Sequence, residues 1–316
     1  MKSNWKPNLF VAGFAKSGSS ALCDYLSQHP EVYIFDTKEP GSLFPEEVSP
    51  LWALNGKNND QYLKWKKLLN VPFEDYKKAF IQNANKKIKI DGTQGYITGG
   101  KEIAKRINKF NPQAIIILII RNHESRLISA FNYFYRWHQK EDLQEYIREN
   151  ILPDLRSFLF YQNLKEYFEV FGKDKMIVIE AKELYSNPEE ILHQIFMRLK
   201  IRDIRINRLK SNERYFFMND SGRYKRNISM ILRLLEYPSK GIVRILRSLG
   251  LFYGNPLIKY LKKVEPSKIF LNFLIKNRKN KKEEYLIPED LKKIFIEDYK
   301  NTLKYCEENK ILLKCD

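Results

Sequence analysis

Hydrophobic positions in this chain fall into two patterns that alternate along its length. Short apolar runs at Leu9 to Phe14, Val32 to Phe35, Ala114 to Ile120 and Met176 to Ile179, and the alternating Lys87 to Asp91, predict strands. Between them, apolar residues recur every three to four positions, which predicts helices over Ser19 to Gln28, Asp60 to Leu69, Phe73 to Asn83, Gly100 to Lys109, Ser125 to His138 and Pro153 to Phe171. Ala114 to Ile120 holds seven apolar residues in a row, five of them Ile. Such a run has no polar face to show to water, so the strand is expected to be buried on both sides in a parallel sheet. The alternation as a whole predicts an α/β fold: a mostly parallel sheet covered by helices on both faces.

The C-terminal third is different. Ile204 to Arg226 reads as a polar, basic loop region. Ser229 to Val264 is helical but broken by Pro238, Gly250 and Pro256, and Arg278 to Lys282 is basic. Pro288-Glu-Asp then opens a closing helix expected to run to Glu308, with proline and acidic residues in its first turn. With no repeat and no low-complexity linker, residues 1–316 are expected to form one domain. Its core spans about 8–227, a basic helical subregion about 228–285, and the closing helix about 288–308.

Two strand-to-helix junctions carry chemistry. The first is Asn8 to Cys23, NLFVAGFAKSGSSALC. An apolar strand breaks into a small-residue turn and opens a helix, which presents backbone N–H groups and a positive helix end to an anion. A nucleotide-hydrolase loop requires Gly, four residues, then Gly-Lys-Ser/Thr. Gly13 and Gly18 have that spacing, but Ser19 stands where the lysine belongs, and Lys16 precedes the second glycine. The loop therefore suits a phosphate-like group and is poor as an ATPase loop. At the second junction, AIIILIIRNHESRLISAF, the buried run stops at Arg121. A guanidinium at the C-terminal end of a central strand sits where open α/β sheets bind ligands, and its fork can hold a phosphate bidentately. Ser129 follows eight residues later on the next helix.

Lys-Ser-Gly-Ser-Ser after an N-terminal strand resembles the 5′-phosphosulfate loop of sulfotransferases that use 3′-phosphoadenosine-5′-phosphosulfate (PAPS). Arg121, Arg126 and Ser129 resemble the same family's 3′-phosphate element, with His123 where that family usually has proline. CDYLSQHPEVYIFDTKEPGSLF (Cys23 to Phe44) is similar to the family's helix, His-Pro turn, second strand and Lys-Glu-Pro segment. Tyr161 to Phe196 resembles its later helix, strand and Asn-Pro-Glu-Glu helix. The likeness spans about Asn8 to Lys200 and leans toward glycosaminoglycan-type and bacterial carbohydrate sulfotransferases. It implies a P-loop-like fold and transfer of a sulfuryl group from PAPS, leaving PAP, to a hydroxyl of a carbohydrate or other glycan-like acceptor.

The resemblance also implies roles. Lys16 would meet the leaving-group charge, with Ser17, Gly18, Ser19 and Ser20 donating to the 5′-phosphate. Arg121 and Ser129 would clamp the 3′-phosphate. Glu39, in Lys-Glu-Pro, matches the catalytic glutamate of glycosaminoglycan-type relatives and is the candidate base. NDSGRYKRN (Asn219 to Asn227) is similar to a late loop over the nucleotide, in which Arg223, Lys225 and Arg226 would reach phosphates. Where many relatives have Glu-Lys-Thr/Ser-Pro-x-Tyr, this chain has Asp91, Gly92, Thr93, Gln94, Gly95 and Tyr96, so the family lysine is replaced by Gly92, and Lys38 and Lys89 are the candidates to supply the missing charge. Asp91 and Thr93 are candidates for the acceptor wall or for a strand-end cap. His29 before Pro30 is a second base candidate, although His-Pro at a helix end is more often structural.

Composition narrows the field. The net charge of +18 is uneven: residues 1–200 carry +5 and residues 201–316 carry +13. A basic half beside an anion loop suits anionic ligands, and 229–264, with seven basic residues against Glu236, could also meet a membrane surface. No nucleic-acid-reading module is present, so no nucleic-acid partner is expected. Cys23, Cys306 and Cys315 lack metal spacing and the four histidines are scattered, so no metal is expected. Reduced thiols, a first strand about eight residues in and no long uncharged apolar stretch make a cytoplasmic protein without a transmembrane segment the expectation. Two rivals stay open: a P-loop-like kinase or hydrolase, and an inactive relative that binds anionic glycans or a membrane surface.

Overall fold

The computed structural model describes residues 5–36, 39–44, 71–138, 142–207 and 286–315, with positions 133–138 as backbone only. The predicted helix Asp60 to Leu69, Lys38, most of the Ile204 to Arg226 region, and the stretches 229–264 and 278–282 lie outside the described residues.

Six strands form one sheet, all pairs parallel, in the order β2-β3-β1-β4-β5-β6. They are β1 (Leu9–Val11), β2 (Val32–Ile34), β3 (Ile88–Asp91), β4 (Ile115–Ile120), β5 (Met176–Glu180) and β6 (Leu312–Leu313). The helices are α1 (Ser19–Leu26), α2 (Phe73–Gln82), α3 (Gly100–Phe110), α4 (His123–His138), α5 (Leu143–Asn150), α6 (Leu155–Phe158), α7 (Tyr161–Phe171), α8 (Ala181–Ser186), α9 (Pro188–Leu199) and α10 (Glu289–Glu308). This is the mostly parallel, helix-covered sheet that the alternating pattern predicts, in the P-loop-like form that the resemblance implies.

Alternation along the strands builds a core on each face. Leu9, Val11, Ile117, Ile119, Ile177 and Ile179 pack against α1 and α9 through Leu22, Leu26, Ile191 and Ile195. Their strand neighbours Phe10, Ile116, Leu118, Ile120 and Val178 face the other way, onto Ile103 and Ile107 of α3 and Leu164 and Tyr167 of α7. A strand fed from both sides in this way needs apolar residues at every position, which is why β4 is an uninterrupted run. A third cluster joins Leu127 and Phe131 of α4, Tyr146 and Ile147 of α5, and Leu291 and Phe295 of α10.

The strand order explains where a site can form. β1 lies between β3 and β4, so the chain leaves β3 on one side of β1 and enters β4 on the other. Loops after β1, β3 and β4 therefore open around a crevice at the carboxyl ends of the strands.

The structure differs from the sequence pattern in places. Pro153 to Phe171, predicted as one helix, is a 3₁₀ turn (Leu152–Asp154), α6 and α7. The break has a cause: the Asp298 carboxylate accepts hydrogen bonds from the backbone N–H groups of Phe160 and Tyr161, at 2.8 and 3.1 Å, and so caps a new helix there. α5, capped by Asp142 accepting from Gln144 N, and the two-residue β6 carry no predicted element. Among the described residues no helix is long and apolar enough to cross a membrane.

Candidate active site

The turn after β1 is tight and specific. Ser17 N donates to Phe14 O at 3.2 Å, and Gly18 then caps α1 with φ 111°. A Cβ at Gly18 would lie 2.9 Å from the Tyr185 hydroxyl on α8, so both the backbone angle and the space require glycine. Lys16 itself holds a left-handed φ of 67°, a conformation that costs a non-glycine residue on the order of 1 kcal/mol and persists only when its surroundings enforce it. The Ser17 hydroxyl is fully buried, with no hydrogen-bond partner among the described residues. A helix's first-turn N–H groups have no carbonyl behind them, and those of α1 open against this loop.

Arg121, immediately after β4, reaches across to the loop. Its Nη1 donates to the Lys16 carbonyl at 3.0 Å, so the two junctions picked out in the sequence meet in space. Ser129 lies in the second turn of α4, half-buried. Arg126 has a different fate. It is 2% exposed, its guanidinium stacks 3.6 Å from the Phe158 ring centroid, 4.6 Å from Phe160 and 5.1 Å from Phe14, and Nη2 donates to Phe158 O. Burial pulls its pKa down to about 9. Arg126 is thus a buried strut that joins the anion loop to the α6–α7 break, not a surface that meets a ligand.

His123, at the position where proline was expected, acts in the same packing. Its ring stacks between Phe160 (4.2 Å) and Phe295 (4.9 Å), and Nε2 donates to Asp298 Oδ2 at 2.7 Å. Burial holds its pKa down despite Asp298, which favours the neutral ring and fits the buried Nδ1, for which no hydrogen-bond partner is found among the described residues. The β4–α4 turn is in this way latched to the closing helix α10.

On the other side of β1, the Glu39 segment is hung from the turn after β3. Gly41 N donates to Thr93 Oγ1 at 3.0 Å, and Leu43 N donates to the Tyr96 hydroxyl at 3.0 Å. Both hydroxyls converge on Asp91. Thr93 Oγ1 donates to Oδ1 at 2.6 Å and Thr93 N at 2.9 Å, while Tyr96 and Tyr76 donate to Oδ2 at 3.1 and 2.9 Å. Asp91 is fully buried, and burial lifts its pKa to about 6 against the lowering effect of these donors. The Asp91 carboxylate accepts four hydrogen bonds and Thr93 Oγ1 one, and the pair forms a strand-end cap, the second of the two roles the sequence offers for them. Glu39 is half-exposed two residues from Gly41.

Other candidates resolve simply. His29 is buried, with Nδ1 accepting from Glu31 N at 3.1 Å and Nε2 donating to Arg202 O at 2.8 Å, so it closes the turn between α1 and β2. Lys89 donates to Lys86 O at the start of β3, away from the crevice, and does not supply the charge missing at Gly92. Arg223, Lys225 and Arg226 lie outside the described residues. Among the described residues, no group of three or more His, Cys, Asp or Glu side chains gathers as a metal site would require.

Sequence reading missed Gln94, Asp298 and Tyr185. Gln94 O accepts from Gly13 N at 3.1 Å, and its side-chain Oε1 accepts from Ser19 Oγ at 3.1 Å, which ties the turn after β3 to the anion loop. No motif marks these three; each is defined only by what lies across from it.

A sulfotransferase-domain family model matches residues 6–233. Among solved structures, a sulfotransferase from Alicyclobacillus acidocaldarius shares 22% identity over 78% of this chain and 96% of its own, with a TM-score of 0.54. The sulfotransferase domain of the Synechococcus PCC 7002 olefin synthase shares 16% identity, covering 71% of this chain and 82% of its own, with a TM-score of 0.41. Mouse sulfotransferase SULT7A1, solved with PAP, shares 14% over 74% of this chain and 65% of its own, with a TM-score of 0.35. The family match spans both phosphate-type junctions and most of the sheet, and the chain belongs to the sulfotransferase family as a sulfuryl-transferring enzyme.

Proposed function

We propose that this sulfotransferase takes its sulfuryl group from PAPS and delivers it to a hydroxyl of a carbohydrate or glycan-like acceptor. One observation carries the donor assignment: the hydrogen bond from Arg121 to the Lys16 carbonyl. It joins the loop suited to a 5′-phosphosulfate to a guanidinium suited to a second phosphate, so a nucleotide phosphorylated at both positions meets two anchors that share one frame. Ser129 on α4 supplies a hydroxyl to the same 3′-phosphate, and Ser17, Gly18, Ser19 and Ser20 serve the 5′-phosphate. Arg223, Lys225 and Arg226 would close over the nucleotide.

In the proposed step Glu39 takes the proton of the acceptor hydroxyl. The acceptor oxygen forms a bond to sulfur as the bond between sulfur and the bridging oxygen breaks, and that electron pair stays on the 5′-phosphate. Lys16 and the α1 N–H groups meet this charge, and PAP is the product. Sulfuryl transfer of this kind asks the protein for alignment and charge stabilisation rather than covalent chemistry. Asp91 contributes from behind, because its hydroxyl relays through Thr93 and Tyr96 fix the backbone that carries Glu39. A carbohydrate acceptor is supported by the Lys-Glu-Pro likeness and by the +13 charge of residues 201–316, which favours acidic glycans. The whole chain, 1–316, is read as a single catalytic unit.

A thermal-shift titration with PAP, ADP and Mg-ATP tests the donor. Selective stabilisation by PAP is expected, since a ligand that binds the native state raises its melting point. An equal or larger response to Mg-ATP would overturn the reading in favour of a kinase or hydrolase. Transfer from labelled PAPS to a panel of desulfated glycans tests the acceptor; labelling of none, with PAP still bound, would remove the carbohydrate assignment and favour the inactive-binder reading.

A further inference from the structure

The turn after β3 faces the anion loop, yet most of its polar groups point elsewhere. The Asp91 carboxylate and the hydroxyls of Thr93 and Tyr96 are consumed by one another and by the Gly41 to Phe44 segment. Gly92 and Gly95 have no side chain. That leaves Gln94, which is half-buried and held at both ends: its carbonyl by Gly13 N at the end of β1, and its Oε1 by Ser19 Oγ at the first residue of α1. With the oxygen turned to Ser19, the amide's two N–H donors are directed away from it, and no acceptor among the described residues takes them. The turn that bears them is tied on one side to the anion loop, through Gly13 and Ser19, and on the other to Gly41 and Leu43 in the segment that carries Glu39.

We infer that Gln94 is a catalytic contact of this enzyme: its Nε2 donates hydrogen bonds to the sulfuryl oxygens during transfer. The inference rests on the PAPS reading above. Charge in the transition state is spread over the equatorial oxygens as well as the leaving oxygen, and a fixed neutral donor at those oxygens lowers the barrier without reorganisation. Lys16 sits on the leaving-group side, whereas Gln94 comes from the turn after the adjacent strand β3 and can meet the equatorial oxygens. Gln94 breaks and makes no bond to sulfur, and it gives up no proton. Its donors strengthen as the S–O bond to phosphate breaks and the bond to the acceptor oxygen forms. In this way a side chain two residues beyond Gly92 supplies the electrophilic contact that a lysine at Gly92 would otherwise give.

PAPS and PAP differ only by the sulfuryl group, which makes the test selective. In Gln94→Glu the carboxylate can still accept from Ser19, but its donors become an anion. PAP affinity, measured by calorimetry, is expected to stay within threefold of wild type. PAPS affinity is expected to fall about tenfold or more, as loss of a hydrogen bond to a charged group predicts. Single-turnover breakdown of labelled PAPS is expected to slow about 10²-fold or more, the effect of removing one such donor. Gln94→Met, nearly the same size and uncharged, carries the same comparison if the glutamate variant fails to fold. PAPS and PAP affinities that fall by one common factor would show a merely structural tie between turn and loop and would overturn the inference. Unchanged PAPS affinity and turnover would do the same. Failure of the wild-type protein to bind PAP is a separate result, which defeats the donor reading before any variant is made.

Discussion

Arg121 at the end of β4 donates from Nη1 to the carbonyl oxygen of Lys16, 105 positions earlier, at 3.0 Å. The contact does two things. It ties the backbone of Lys16, a residue at a left-handed φ of 67°, to the end of β4, and it fixes the guanidinium beside the anion loop. Arg121→Ala is therefore expected to weaken PAP binding about 10²-fold and to erase the preference for PAP over ADP, since a charge-assisted phosphate contact and the loop support are lost together. Arg121→Lys retains charge but not the fork, so it should recover only part of the loss. Calorimetric titration of both nucleotides against the three proteins reads the effect.

Asp91 makes a prediction about pH. Burial raises its folded pKa to about 6, above the unfolded value near 3.9, so the native state binds this proton more tightly than the unfolded chain. The stability that comes from its protonation is fully present below about pH 3.9 and is lost as the pH rises through about 6. Asp91→Asn has no such titration. Chemical denaturation of both proteins should therefore show the wild-type advantage over Asp91→Asn growing between pH 7.5 and pH 4.5. A gap that is constant over this range would mean that Asp91 is not held in a strongly desolvated state.

Hydrophobic patterning was sufficient for β1 to β5 and for the two junctions, though not for the two-residue β6, because a doubly covered parallel strand leaves a long apolar run such as Ile115 to Ile120. Motif spacing likewise singled out Lys16 and Arg121, whose contact the structure shows. What stayed hidden depends on partners distant in sequence. Arg126 is apt as a phosphate ligand until Phe14, Phe158 and Phe160 close around it. The break before α7 is set by Asp298, 138 residues from Phe160. Gln94 has no local signature, and its position has meaning only against Gly13 and Ser19. Local propensity registers strands and turns, whereas a buried polar network is specified by its far ends.

Asp298 anchors the second of those networks. Its carboxylate accepts from His123 Nε2, Phe160 N and Tyr161 N, all in a buried setting. Asp298→Ala would orphan three buried donors at once, and a loss of about 3 to 5 kcal/mol is expected. Asp298→Asn keeps one oxygen for the backbone groups and should lose distinctly less. Urea unfolding curves would rank the two, and near-equal losses would mean that the His123 latch, which both variants lose, rather than the backbone cap carries the stability.

Glu39 offers the most direct separation of chemistry from binding. The segment that bears it hangs from Thr93 and Tyr96 through the N–H groups of Gly41 and Leu43, and altering its carboxylate leaves these backbone ties in place. Glu39→Gln is expected to lower kcat by about 10² to 10⁴-fold, the usual contribution of a general base, with PAP affinity within twofold of wild type. Tyr96→Phe removes the acceptor for Leu43 N and a donor to Asp91, but no proton-transfer group. It should lower kcat more mildly, about tenfold, because a loosened base is still a base. If the two variants lose equal activity, alignment of the segment is what matters and the base must lie elsewhere. If Glu39→Gln alone abolishes turnover, the carboxylate itself removes the proton and Asp91 serves it from a distance.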